Sequence, residues 1–427
     1  MNSTQTILNK LHSGTFDALF EKLYGQAAVA SQRDRYIDAV NSYTALYGEE
    51  EDLWLFSAPG RTEIGGNHTD HNHGCVLAGS VNLDVIAVAA PTKDHCICVK
   101  SAGYDMDTID LADLQVNQTQ YNRSAALIRG VADRFCQLGY TVNGFRAYTV
   151  SNVLKGSGLS SSAAFEVLIG TILNHMFNNG TVDPIEIAKI AQYAENVHFG
   201  KPCGLMDQMA SSVGGIITID FADPESPIVE TVDFDFSQSG HHLSIVDVGG
   251  NHADLTGEYA DITDEMKAIS RELGVSFLRE TNYEELLTKI SSLRKVCGDR
   301  AVLRAFHFLA ENDRVQKEVA ALKQGDFETF KRLIIESGHS SFEYLQNIYA
   351  NAAVNCQGIS LALALAQRVL NGKGAWRVHG GGFGGTTQNF VPIQLVEEFT
   401  KTMETVFGKG SCHILSIRPL GGVCVSK

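Results

Sequence analysis

Three short stretches of this 427-residue chain concentrate side chains that can do chemistry. The first, Ser57–Asn72 (SAPGRTEIGGNHTDHN), places Arg61, Glu63, His68, Asp70 and His71 among glycines. Carboxylates, imidazoles and a guanidinium in so small a span suit multivalent hydrogen bonding to a polyhydroxylated ligand. With His73 the spacing H-x-x-H-x-H also admits metal ligation. It lacks the i, i+4 helical pair of zinc hydrolases, however, and no second ligand group stands out. A solvated polar loop is the remaining alternative.

The second stretch, KGSGLSSSAA (155–164), sets two glycines before three serines and a helix-forming run. Gly156 and Gly158 can take positive φ and let backbone approach a ligand closely. The free N–H groups of the following first turn, with the positive end of the helix dipole, make an anion site. The hydroxyls of Ser160, Ser161 and Ser162 add donors and an oxygen ligand for Mg²⁺. A plain glycine turn and N-cap is the competing reading, and three serines exceed what a cap needs. The third stretch, Glu195–Gly215, brings Asp207 after a Lys-Pro-Cys-Gly turn among Leu205, Met206, Met209 and Ala210. A carboxylate in apolar surroundings must be paired, protonated or functional, unless it caps the segment 208–213.

Elements must position these groups. Residues 1–50 read as helical, with Phe16, Leu19, Phe20 and Leu23 at helical spacing. From Leu53 short apolar runs (53–56, 76–77, 85–90, 96–99) predict strands. A helix is predicted over 161–177, directly after the Gly/Ser turn. Asp183-Pro184 with Glu186 announces another, expected to reach about His198. Strand character returns at 215–221 and 243–248, and the polar segment 222–242 with Pro224 and Pro227 suggests a domain boundary. Helices follow at 254–272, 283–296, 299–323, 326–337 and 355–371, then strands at 376–379, 388–391 and 413–417. Residues 380–385, GGGFGG, formally satisfy G-x-G-x-x-G, but strand-like TTQNFV follows where a Rossmann fold needs a helix. No Walker A motif is present.

Composition narrows the class. With 44% hydrophobic and 19% charged residues the chain is an ordinary globular protein. Its net charge of −15 argues against nucleic acid and anionic membrane as partners. Nine scattered cysteines without a C-x-x-C pair fit a reducing compartment, and the polar N-terminus has no apolar signal core, so a cytoplasmic protein is expected. Asn82 and Asp84 break the most apolar run, 75–91, so no membrane span is expected. Nothing in the sequence reads out oligomeric state.

Together these segments resemble the galactokinase branch of the sugar and mevalonate kinase superfamily, the GHMP kinases. The motifs are GRTEIGGNHTDHNHGCVLAGSVNLD (60–84), KGSGLSSSAA with KPCGLMDQMAS, and RVHGGGFGGTTQNFV (377–391). Segments 251–262 and 307–341 also look like the family, and the resemblance covers roughly 50–427. It implies an α+β fold in two parts with the active site between them. Residues 51–235 would form an α/β domain of the ribosomal S5 domain 2-like type and 236–427 a ferredoxin-like GHMP domain, after a helical extension, 1–50. It further implies ATP-dependent phosphorylation of the C1 hydroxyl of galactose, with Mg²⁺.

By position Asp207 matches the family's catalytic aspartate and Arg61 the arginine facing it. Ser162 and Glu195 match Mg²⁺ ligands. Arg61, Asn67, His68, Asp70, Gly204, Asp207 and Tyr259 match sugar-binding positions. Gly156, Ser157, Gly158, Leu159, Ser160, Ser161, Ser162 and Ala163 match the residues around the ATP phosphates. The first motif departs from the usual G-R-V-N-L-I-G-E-H-T-D-Y-N at Glu63, Gly65, Asn67 and His71. The family's Glu at the Asn67 position accepts a hydrogen bond from the C6 hydroxyl. Its replacement makes a C6-modified sugar such as galacturonate the second choice of substrate. A third choice is a non-catalytic sugar sensor. The complete GLSSSAA run with Asp207 and Arg61 speaks for catalysis.

Overall fold

The structure is a computed structural model that describes residues 2–154, 158–249 and 255–427. Helices α1 (Thr4–His12), α2 (Asp17–Tyr24) and α3 (Val29–Tyr47) precede strands β1 (Trp54–Gly65), β2 (Cys75–Pro91), β3 (Cys96–Ser101) and β4 (Met106–Asp110). Then come α4 (Ser124–Gln137), β5 (Phe145–Ser151), α5 (Ser161–Phe177), α6 (Pro184–Tyr193), α7 (Met206–Val213), β6 (Ile216–Asp220) and β7 (Ile228–Val232). The second half runs β8 (His241–Asp247), α8 (Thr256–Leu273), α9 (Tyr283–Val296), α10 (Asp299–Lys323), α11 (Phe327–Ser340) and α12 (Gly358–Leu370). It ends with β9 (Ala375–His379), β10 (Thr386–Pro392), α13 (Val396–Phe407), β11 (Cys412–Leu415) and β12 (Val423–Cys424).

Two sheets organise these elements. An eight-stranded sheet has the order β12-β1-β2-β5-β3-β4, with β6 joining β2 and β7 joining β6. A four-stranded antiparallel sheet has the order β11-β8-β10-β9. The last strand, β12, returns to pair with β1 in the first sheet.

The apolar run 75–91 is one long strand. Its first half pairs with β6 and its second half with β5, while β1 pairs with both. Successive side chains alternate between faces. Val85, Ala87 and Ala89 join Phe56 and Ala58 in the core built with α4 and α5. Ile86, Val88 and Ala90 join Leu53 and Leu55 in a second cluster with Ile7, Phe20, Tyr36 and Val40. A strand apolar on both faces needs cover on both, and α1–α3 are that cover. The N-terminal extension is therefore an integral layer.

A buried carboxylate ties the layers together. Asp84, fully buried in β2, accepts from Arg35 Nη1 and Tyr24 Oη, each at 2.6 Å, from Ser57 Oγ, and from Arg418 Nη1 at 3.2 Å. Those partners come from α3, α2, β1 and the C-terminal arm. Burial pushes the Asp84 carboxyl up, but the charges of Arg35 and Arg418 outweigh it and hold it below the usual range.

The predicted helix over 161–177 is α5, residue for residue. The helix opened by Asp183, which caps the Ile185 N–H, ends at Tyr193; a π-helical turn, Ala194–Phe199, carries the chain on to the expected limit. The polar segment 222–242, where a domain boundary is expected, contributes β7, an edge strand. Helices α4 and α13 were not foreseen. Replacing Asp84 by Asn should cost about 3–5 kcal/mol at neutral pH, because it leaves two buried guanidiniums without their counter-charge. A carboxylate with a depressed folded pKa stabilises above its unfolded pKa and loses that contribution as pH falls through the folded value. The gap between parent and Asp84→Asn should therefore shrink below about pH 4, read by denaturant unfolding at several pH values.

Candidate active site

Strand β1 does not end where the polar stretch begins; it continues to Gly65, so Arg61 and Glu63 are strand residues. Register shifts between Pro59 and Arg61, and between Glu63 and Gly65, interrupt its pairing with β2. Irregularities of this kind re-aim side chains beside active sites. At Gly60 an added Cβ would lie 2.8 Å from the Leu159 carbonyl oxygen, so only glycine lets β1 lie against the loop before α5. There the Arg61 N–H donates to Leu159 O at 3.0 Å.

From that position the Arg61 guanidinium grips Asp207. Nε donates to Oδ1 at 2.6 Å and Nη2 to Oδ2 at 2.5 Å, a bidentate pair, and Nη1 donates to the Gly158 carbonyl. Asp207 lies in the first turn of α7, with its side chain 28% exposed. Burial raises its carboxyl, but the charge and hydrogen bonds of Arg61, helped by the Ser160 hydroxyl and Lys201, bring it below the usual range. Asp207 is thus an anion at neutral pH with one side open.

Ser160 stands at φ +54° and makes no capping bond to the first turn of α5. The N–H groups at that helix start are not taken up by a side-chain cap, which suits an anion there. Gly158, Leu159, Ser160, Ser161, Ser162 and Ala163 are all placed at this end. Gly156 and Ser157 lie outside the described residues. One residue into α5, Ser162 Oγ donates to Glu195 Oε1 at 3.3 Å, and Glu195 is buried in the π-helical turn after α6. Gln208, next to Asp207, donates through Nε2 to Glu195 Oε2 at 2.8 Å and to Glu166 Oε2 at 3.2 Å. Burial and the nearby Glu195 charge push the Glu166 carboxyl well above its ordinary range. Glu166 and Gln208 escaped the sequence reading; the i, i+4 spacing of Ser162 and Glu166 was the available signal.

The late glycine run closes the other side. His379 bridges Thr62 Oγ1 at 3.1 Å and Thr386 Oγ1 at 3.0 Å. His68 Nε2 meets Gly381 O at 3.0 Å, and Tyr259 Oη donates to Gly382 O at 2.9 Å. A Cβ on Gly204 would lie 2.5 Å from Asp70 Oδ2, so this glycine is what allows the two loops to meet. His68 and Tyr259 thus meet the late glycine run, and Asp70 meets Gly204 on the loop that leads into α7.

Asn67 is placed differently. It is fully buried: Nδ2 donates to Glu63 Oε1 at 3.0 Å and Gly380 O at 2.7 Å, and Oδ1 accepts from Asn347 at 2.8 Å and Ser341 at 3.3 Å. The neighbouring departures belong to the same buried network. Glu63 Oε1 pairs with Arg377 Nη2 at 2.6 Å, and a Cβ on Gly65 would collide with Glu318 Oε2. The three histidines of the H-x-x-H-x-H spacing do not share one purpose, since His73 stacks on Phe277 at 3.6 Å. Among the described residues no group of three His, Cys, Asp or Glu is arranged to hold a metal ion, and no helix is long and apolar enough to cross a membrane.

Known proteins resemble the chain in sequence and in fold. The galactokinase galactose-binding signature matches residues 41–91, and the N-terminal domain of the GHMP kinases matches 126–215. Galactokinase of Streptomyces coelicolor is 30% identical over 86% of this chain and 91% of its own length. The chain belongs to the galactokinase family. Human galactokinase is 29% identical over 89% of this chain and 94% of its own. The structure of Lactococcus lactis galactokinase complexed with galactose superposes with a TM-score of 0.75 at 22% identity, covering 90% of this chain and 98% of that one. The α+β galactokinase fold expected from the sequence is therefore the fold observed.

Replacing Arg61 by Met should leave burial as the dominant influence on Asp207 and raise its pKa. Difference infrared spectra of the carboxyl band, with Asp207→Asn as the blank, read this directly; an unmoved pKa would separate Asp207 from Arg61.

Proposed function

We propose that this chain transfers the terminal phosphoryl group of ATP to the C1 hydroxyl of galactose, releasing ADP and galactose 1-phosphate. The observation that carries the reading is an ionised Asp207, clamped by Arg61, beside the uncapped start of α5. Phosphoryl transfer asks for positioning and charge neutralisation more than covalent help. The first-turn N–H groups of α5 and the loop before it receive the nucleotide phosphates. His68, Asp70, Gly204 and Tyr259 hold the sugar. Asp207 takes the proton of the C1 hydroxyl, or orients it, as that oxygen bonds to the terminal phosphorus and the bond to ADP breaks. Arg61 keeps Asp207 ionised and offsets charge on the moving group.

Ser162 and Glu195 are hard oxygen donors 3.3 Å apart, the kind of pair that would hold Mg²⁺. Bound there, Mg²⁺ would supply positive charge to the phosphates. In this reading the halves 51–235 and 236–427 meet around the site, and Asn67 serves the sugar through its loop, not by direct contact. The protein works in the cytoplasm, independent of nucleic acid and membrane.

Asp207→Asn should lower turnover by roughly 10²–10⁴-fold while sugar binding is largely kept. A coupled ADP-release assay with galactose, beside calorimetry of sugar binding, checks both. Near-normal turnover in the variant would remove Asp207 from the chemistry, and galactose binding without ADP release in the parent would make the chain a sensor.

A further inference from the structure

We propose that Gln208 is a positioning residue for the divalent cation: it fixes the Glu195 carboxylate so that Oε1 faces Ser162. The proposal rests on the reading of Ser162 and Glu195 as the cation's protein ligands. Three features of the structure lead to it.

Glu195 sits in the π-helical turn that follows α6, outside regular α-helix. Such turns recur at functional sites. An adjoining element therefore has to orient this carboxylate, and α7 does so. Gln208 is fully buried, and one Nε2 spans both acids, 2.8 Å from Glu195 Oε2 and 3.2 Å from Glu166 Oε2. With Oε2 held, Oε1 is left to Ser162 at 3.3 Å and to Lys201 Nζ at 3.9 Å.

The amide is also placed at a cost. Gln208 Oε1 and Glu166 Oε1 are both shielded from solvent without a hydrogen-bond partner. A buried polar group left unpaired is unfavourable, and an apolar side chain of the same shape would avoid that. A residue kept only to fill this space has no need of an amide. Finally, Gln208 directly follows Asp207 on α7, so one short helix fixes the group that receives the sugar proton and the group that aims the cation ligand. Groups that orient metal ligands typically contribute 10–100-fold to metal affinity.

The test compares binding of a non-hydrolysable ATP analogue with Mn²⁺ and without metal, by calorimetry, in the full-length parent, Gln208→Met and Gln208→Asn. The parent should bind the Mn²⁺ complex more tightly than the free analogue. Gln208→Met should lose about 10–100-fold of that metal-dependent gain, with galactose affinity unchanged. Gln208→Asn, which keeps the amide but is too short to span both acids, should lose a smaller part of the gain, and it decides the matter if the Met variant does not fold. An undiminished gain in a folded variant overturns the proposal, as does a parallel loss of galactose binding, which would make Gln208 merely structural. Absence of any metal-dependent gain in the parent would instead overturn the reading of Ser162 and Glu195.

Discussion

The Arg61–Asp207 pair is the constraint around which the rest of the site is arranged. A guanidinium taken out of water needs a counter-charge, and an aspartate at the start of α7 needs a cation to remain ionised. Each supplies the other. Meeting that requirement joins β1, the loop before α5 and α7 at one point, because Arg61 also bonds to the Gly158 carbonyl. Ser160 bonds to Asp207, and Gln208, next to Asp207 in the chain, bonds to Glu195, which in turn accepts from Ser162. The glycines at 60 and 204 are consequences of the same demand, since backbone must pass where a Cβ would collide.

A second constraint works at longer range. The central strand β2 is apolar on both faces, so the sheet requires a layer on each side. Helices α4 and α5 cover one and the N-terminal helices the other. Asp84 pins this sandwich by drawing α2, α3, β1 and the C-terminal arm onto one carboxylate. Arg61 lies four residues beyond Ser57 on the same strand, so the scaffold fixed at Asp84 carries the reactive pair.

Much of this was legible in the sequence, for reasons that can be named. The helix over 161–177 announced itself through a glycine-serine start and a long apolar body. The meeting of Arg61 with Asp207 followed from motif resemblance; no periodicity in the chain reveals it. The limits were tertiary. A polar, glycine-rich run such as 57–65 reads as a loop, but pairing with β2 makes it strand. Asn67 was assigned to the sugar because it occupies the position of the family's Glu, whereas Glu63, Ser341 and Asn347, distant in sequence or displaced from the usual motif, draw it into the interior. Gln208 carried no signal alone, since its role depends on two carboxylates from other elements. Net charge, too, says little about a small anionic ligand met by helix N–H groups and a cation.

The central claim is that Asp207 and Arg61 direct phosphoryl transfer to the C1 hydroxyl of galactose. Proton-coupled ³¹P spectra of the product formed from galactose and ATP test it most directly. The account predicts a phosphomonoester doublet that grows as ADP accumulates and correlates in a ¹H–³¹P spectrum with the anomeric proton and with no other carbinol proton. A triplet, from phosphate on the C6 methylene, or ADP formation without a sugar phosphate, would contradict it.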